Sequence, residues 1–212
     1  GPGTGKLTEK LLEKKPLKIT VIEKDERLVK LLSKKFDEKI NIINQDILNF
    51  SYSNYLNKKL IIFGNLPYNI STQILVKWIR MEKLDQFCKR FILMFQKEVA
   101  DRILAKSNTK NYGRLSILSN WKMQIDKITD VEPSSFNPVP KVQSSILMFT
   151  PKKKIYDLYD SKNLEHVTNI FFSQRRKMIK KPFKILFRNF DEISKKLSLD
   201  LKLRPQNLDH LT

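Results

Sequence analysis

One cysteine, two histidines and five glycines are spread through 212 residues, and each scarcity closes off a class of chemistry. Cys88 cannot form an internal disulfide, and with only His166 and His210 to help it cannot supply a metal cluster. No metal is therefore expected, and a reducing compartment suits the unpaired thiol. Cys88 lies in an apolar run and reads as core; the two histidines read as surface or helix-end residues. No segment reaches the roughly 18 consecutive apolar residues of a spanning helix, so no membrane partner is expected. Negative charge is also short, with 22 Asp and Glu against 41 Lys and Arg, a net +19. On a chain that is 41% hydrophobic, and so able to build a core, this excess points to a polyanionic partner, with nucleic acid the leading candidate.

The few glycines are clustered. Gly1, Gly3 and Gly5 fall in the opening GPGTGKLT. A triphosphate loop of the form G-x-x-x-x-G-K-[ST] needs a hydroxyl directly after its lysine to reach the magnesium ion. Here Leu7 follows Lys6, which breaks that match. Read as G-x-G-x-[AGS], the stretch is a tight strand-to-helix turn whose glycines let a ligand press against bare backbone. Such a turn asks for an acidic residue about 20 residues on, at the tip of the next strand, to take ribose hydroxyls. Glu23 meets that demand at the end of LKITVIE, a β-branched run bounded by Pro16 and a charged stretch. Because a preceding strand normally feeds such a turn, an upstream strand is expected to be missing from the chain as read.

Further along, strand-like and helix-like stretches alternate. A short helix over residues 7–15 is followed by the strand 17–23. DERLVKLLSKKF then sets Leu28, Leu31, Leu32 and Phe36 at helical spacing. INIINQD reads as a strand, as does the run Leu60, Ile61, Ile62, Phe63, which enters the turn GNLPYN. Ser71 reads as an N-cap for a helix with Ile74, Leu75, Trp78 and Ile79 on one stripe. RFILMFQ and a helix over 97–105 complete the alternation, which means a parallel, doubly wound α/β sheet. Two β-like stretches, 121–128 and 144–149, joined by the loop EPSSFNPVPKVQ, suggest an antiparallel edge pair. Trp78 and Trp121 read as core. After residue 150 only helices are expected, including the basic FFSQRRKMIKKPFKILF, interrupted by Pro182. The chain thus divides at 1–150 and 151–212.

In an open parallel sheet, ligands gather beyond the carboxyl ends of the strands. Four segments bring polar groups there: residues 1–5, Glu23, Asp46 and 65–68. Glycines beside a nucleoside tail, Glu23 on its ribose and Asp46 accepting from an adenine amine form one constellation. Asn65, Leu66, Pro67 and Tyr68 add a second. An adenine amine is a poor nucleophile because its lone pair is delocalised into the ring. An enzyme that alkylates it must hold the amine hydrogens on acceptors. An asparagine carbonyl and a main-chain carbonyl fixed by Pro67 are two such acceptors, and Tyr68 can stack on the base, a contact worth roughly 1 to 3 kcal/mol.

GPGTGKLT, VIEKD, NQDI and NLPYNIS together resemble the small-subunit ribosomal RNA adenine dimethyltransferase family, and the likeness continues through MFQKEVADRI, YGRLS, SFNPVPKVQSS and FFSQRRKMIKKP. It implies a Rossmann-like methyltransferase sheet of seven strands with an antiparallel last strand, domain 1–150, and a small helical C-terminal RNA-binding domain, 151–212. It also implies S-adenosylmethionine as cofactor and dimethylation of two adjacent adenines, with a role in ribosome assembly. By position, Gly1, Gly3, Glu23, Lys24, Asp46, Ile47 and Asn65 fall on the family's cofactor contacts. Asn65, Leu66, Pro67 and Tyr68 fall on its target-amine motif, and Phe136 resembles the second aromatic of the base pocket. Lys141, in the FNPVPK loop, and Arg175, Arg176 and Lys177, in QRRK, are the candidate RNA contacts. The partners implied are ribosomal RNA and the immature small subunit, met by a monomer in the cytoplasm. The family's arm L-G-Q-N-F-L and its first strand are expected to be missing upstream of Gly1. LRPQNLDHLT resembles the start of its closing helix, with Gln206 replacing an acidic residue. Two alternatives share these motifs in part: large-subunit adenine methyltransferases, which use the same N-[LI]-P-Y logic, and a non-catalytic RNA-binding or transcription factor on the same fold.

Overall fold

Residues 1–155, 158 and 160–209 are described by a computed structural model, and their contacts separate the chain into two units, Gly1–Phe95 and Gln96–Thr212. In the first unit the glycine turn opens α1 (Lys6–Leu12), followed by β1 (Thr20–Glu23), α2 (Glu26–Phe36) and β2 (Asn41–Asn44). Asp25 caps α2 by accepting the Arg27 N–H at 2.9 Å, which satisfies a first-turn donor that has no partner within the helix. The apolar face of α2 then packs down. Leu32 and Phe36 are buried with Val21 and Ile40, whereas Leu31 falls off the stripe and stays exposed. β1 and β2 pair in parallel from Thr20↔Asn41 to Glu23↔Asn44. The strand starts later than the β-branched run suggested, since Leu17 is fully exposed.

A second strand-helix-strand passage follows, comprising β3 (Leu60–Asn65), α3 (Ser71–Ile79), α4 (Leu84–Phe87) and β4 (Cys88–Gln96). β3 and β4 are parallel, with Ile61↔Arg90 through Asn65↔Met94 in register. The stripe Ile74, Leu75, Trp78 and Ile79 is buried as its spacing requires, and the Trp78 ring lies 5.0 Å from that of Phe91. Each such fully buried aliphatic side chain is worth about 1.5–3 kcal/mol relative to leaving it in water. Cys88 is buried among them, and burial pushes its thiol up to about 12.

In the second unit α5 (Lys97–Leu104) and α6 (Arg114–Lys122) precede β5 (Met123–Val131) and β6 (Ser144–Pro151). β5 and β6 form the expected antiparallel pair, from Met123↔Pro151 to Val131↔Ser144, with an irregularity between Lys127 and Thr129. α6 was not expected. Trp121, which its sequence context marks as the start of a strand, lies in the last turn of this helix and is only half-buried. The cause is local: Ser116 and Ser119 are buried alongside Ile117 and Leu118, so no apolar stripe marks the helix. Ser116 instead donates to the Arg102 carbonyl at 2.6 Å and accepts the Gly113 N–H at 3.1 Å.

The remaining helices are α7 (Ser161–Ser173), α8 (Lys180–Leu186) and α9 (Phe190–Lys196), gathered on Phe171, Ile179 and Phe183. Pro182 sits in the first turn of α8, where its missing N–H costs nothing. His166 is exposed on α7, and His210 lies outside the described residues. Among the described residues no helix is long and apolar enough to cross a membrane.

Candidate active site

The polar groups singled out in the first unit lie where parallel strands end. At the tip of β1, Glu23 is 8% exposed, and its Oε1 accepts the N–H groups of Lys24 at 2.8 Å and Asp25 at 3.0 Å. Two main-chain donors on one oxygen fix the side chain and leave Oε2 turned toward the glycine turn. A Cβ added at Gly1 would lie 2.8 Å from that oxygen, so a larger residue there would push the carboxylate aside. Gly5, at φ +82°, is equally constrained, because a Cβ there would meet the Phe36 ring at 2.5 Å. Gly3, at φ +56°, faces open space.

Two residues beyond β2, Asp46 accepts the Leu48 N–H on Oδ1 at 2.9 Å and pairs through Oδ2 with Lys24 Nζ at 2.8 Å. Lys24 holds this carboxyl below its ordinary range, with the Leu48 N–H adding to the effect, and Asp46 in turn raises Lys24. Gly1, Glu23, Lys24 and Asp46 are thereby linked in one chain of contacts. Ile47 follows Asp46 and is half-buried.

At the end of β3 the chain turns through Asn65, Leu66, Pro67 and Tyr68 into α3. Leu66 is buried and folds back over Gly64, where a Cβ would come within 2.8 Å of its Cδ2. That anchor fixes the main chain of the turn. Asn65 and Pro67 are exposed, and Tyr68 is half-buried. Ser71 does not cap the helix: Ile70 occupies the cap position, while the Ser71 hydroxyl donates to the Tyr68 carbonyl at 3.1 Å and braces the turn.

Two residues without a signal in the sequence support this arrangement. Asn44 Nδ2 donates to the Glu23 carbonyl at 2.9 Å and the Lys24 carbonyl at 3.2 Å, tying β2 to the tip of β1. Lys77, on α3, reaches the segment after Asp46 and donates to the carbonyls of Leu48 at 2.7 Å, Phe50 at 2.9 Å and Ile47 at 3.3 Å. An asparagine at a strand end and a lysine between apolar helix residues carry no pattern that separates them from solvated surface.

The other candidates belong to the second unit. Phe136 is half-buried, its N–H bonded to the Pro133 carbonyl at 3.1 Å, and Lys141 is exposed. Arg176 and Lys177 are exposed, whereas Arg175 donates to the carbonyls of Thr109 and Lys110. These three residues of QRRK line an open cavity of about 710 Å³ with Lys110 and Phe172.

Parallel strand-helix-strand passages, a glycine turn and acidic strand tips define the class I methyltransferase fold, and solved structures agree. A dimethyladenosine transferase from Plasmodium falciparum superposes with a TM-score of 0.79 and 28% identity, covering 100% of this chain and 84% of that one. The 23S rRNA methyltransferase ErmE shares the fold, with a TM-score of 0.66 at 23% identity over 98% of this chain and 85% of its own. The family model described as ribosomal RNA adenine dimethylase matches residues 1–204. Ribosomal RNA small subunit methyltransferase A of Pelagibacter ubique is 56% identical over 209 residues, 99% of this chain and 80% of that protein. Its namesake in Ehrlichia ruminantium is 41% identical over 98% of this chain and 79% of its own length. The chain belongs to the ribosomal RNA adenine dimethylase family and is a methyltransferase.

Proposed function

We propose that this chain dimethylates the exocyclic amines of two adjacent adenines in small-subunit ribosomal RNA, using S-adenosylmethionine. In this reading it acts as a cytoplasmic monomer on the immature small subunit, with residues 1–150 as the methyltransferase domain and 151–212 as a helical RNA-binding domain. The observation that carries the reading is the bracing of the Asn65–Tyr68 turn at the carboxyl end of β3, on the same unit as the Glu23 and Asp46 carboxylates.

The residues present fit the nucleoside part of the cofactor. Glu23 has one oxygen fixed by main-chain donors and the other beside the bare backbone of Gly1. Gly3 leaves space open, and Asp46 is a charged acceptor. Glu23 would take the ribose hydroxyls, Asp46 the ring amine, with Lys24 and Ile47 beside it, and Gly1, Gly3 and Asn65 the remaining contacts. When bound, the cofactor supplies an electrophilic methyl on a sulfonium, whose departure as a neutral thioether needs no metal.

The protein's work is positional. The Asn65 side-chain carbonyl and the Leu66 main-chain carbonyl accept the hydrogens of the target amine and turn its lone pair outward. Pro67 and the buried Leu66 side chain keep that carbonyl in place. Tyr68 stacks on the base, which is flipped or already unpaired. Charge that develops on the amine nitrogen is stabilised by the same acceptors. The alkylated nitrogen then loses its proton to water, so no strong general base is required. Lys141, Arg175, Arg176 and Lys177 contact the RNA backbone. Methyl transfer by full-length Asn65→Ala and Tyr68→Ala variants tests the assignment. A loss of at least about a hundredfold is expected for Asn65→Ala, the scale of removing one transition-state hydrogen bond. Wild-type rates in either variant would refute the role of the residue replaced.

A further inference from the structure

One cation of the first unit is held among main-chain carbonyls and has no part in the mechanism above. Lys77 stands in the last turn of α3, yet its ammonium does not extend to water as lysines on helix surfaces ordinarily do. Its three N–H donors meet three carbonyls, those of Leu48 at 2.7 Å, Phe50 at 2.9 Å and Ile47 at 3.3 Å. The ammonium also lies 5.2 Å from the centroid of the Tyr52 ring, which packs edge-on against Phe50 and Phe87. Burial pulls the Lys77 pKa down, and the Asp46 carboxylate opposes that shift. Holding a desolvated cation here is costly unless its donors are satisfied, and these carbonyls satisfy them.

The carbonyls belong to the segment that carries Asp46. Two of its bonds are local: Asp46 Oδ1 takes the Leu48 N–H at 2.9 Å, and the Asp46 carbonyl takes the Asn49 N–H at 3.0 Å. The pair of Asp46 Oδ2 with Lys24 Nζ at 2.8 Å ties the carboxylate itself to the tip of β1. Lys77 ties the main chain behind it, residues 47–50, to the helix that leaves the Asn65–Tyr68 turn. We propose that Lys77 is a positioning residue for base recognition: its ammonium holds residues 46–50 in the shape that presents the Asp46 carboxylate to a ring amine, and so sets the preference for an adenine-bearing cofactor. This rests on the reading of Asp46 as the amine acceptor.

The test measures binding rather than turnover. Titration calorimetry on the full-length chain compares S-adenosylhomocysteine with its analogue carrying hydrogen in place of the exocyclic amine. Wild type should prefer the amine-bearing ligand by roughly tenfold, the scale of one hydrogen bond to a charged acceptor. Asp46→Ala should erase that preference, and Lys77→Met should reduce it to about twofold while the analogue's own affinity changes little. Lys77→Arg, which keeps a cation with several donors, should restore most of the preference. If Asp46→Ala loses the preference and a folded Lys77→Met keeps it, Lys77 is only a structural clasp and the proposal is wrong. If Asp46→Ala itself keeps the preference, the reading of Asp46 falls and the proposal with it. Should Lys77→Met fail to fold, Lys77→Gln, with a shorter reach to the same carbonyls, should lower the preference to about threefold, and an unchanged preference there would overturn the proposal.

Discussion

Replacing Glu23 with glutamine changes one atom and one charge, and so isolates the role of a single oxygen. In the native chain Oε1 accepts two main-chain N–H groups, at 2.8 and 3.0 Å. A glutamine carbonyl can accept both, so the tip of β1 should keep its shape. Oε2, the oxygen beside Gly1, becomes an amide nitrogen that can only donate, so the charged acceptor for a ribose hydroxyl is lost. A hydrogen bond to a charged acceptor contributes about 1.5–3 kcal/mol, more than a neutral pair. Losing it should raise the Kd for S-adenosylhomocysteine by about 10- to 150-fold. Titration calorimetry on the full-length variant measures this, with thermal melting alongside to establish that the fold is intact. A Kd within about twofold of wild type, at an unchanged melting temperature, would show that Glu23 does not hold the ribose.

Gly5→Ala puts a methyl 2.5 Å from the Phe36 ring at φ +82°, and should cost about 2 kcal/mol or more, lowering the melting temperature by about 4–8 °C. Gly3→Ala, in open space at φ +56°, meets only the backbone penalty of about 1–2 kcal/mol, so the Gly5 variant should melt lower. Hydrogen bonds from Arg27 hold the Asp25 carboxyl down at about 2, against an ordinary 3.8. A value lower in the folded state means that its stabilisation is in place above the ordinary value and is lost as the pH falls toward 2. The stability gap between wild type and Asp25→Asn should therefore shrink across that window in acid denaturation. For RNA, Arg176→Ala and Lys177→Ala should each reduce the slope of log affinity against log salt by about 0.7–0.9, the counterion release of one phosphate contact. Unchanged slopes would remove these two side chains from the interface.

Much of the fold was legible because local pattern and tertiary demand agree. The stripe on α3, the apolar run of β4 and the late antiparallel pair lie where periodicity placed them. α6 escaped because its buried face carries serines that bond to the backbone, so the hydrophobic pattern that marks a helix is absent. Ser71 misled for a related reason. Its hydroxyl could have capped the helix, but it turns back to the Tyr68 carbonyl in the tight turn ahead of it. At the site, residues with distinctive chemistry could be read directly: glycines where a Cβ would collide, and Glu23 at a strand tip. Asn44 and Lys77 could not, since their roles depend on which main-chain carbonyls the fold brings within their reach. No spacing rule encodes that.

The central claim is transfer of methyl groups to an adenine amine of small-subunit RNA, and nucleoside analysis by mass spectrometry tests it most directly. Immature small subunits incubated with the full-length chain and isotopically labelled S-adenosylmethionine should yield labelled N6,N6-dimethyladenosine on digestion, and the Asn65→Ala variant should leave the adenines unlabelled. Label confined to large-subunit RNA, label at another atom of the base, or none above background would contradict it.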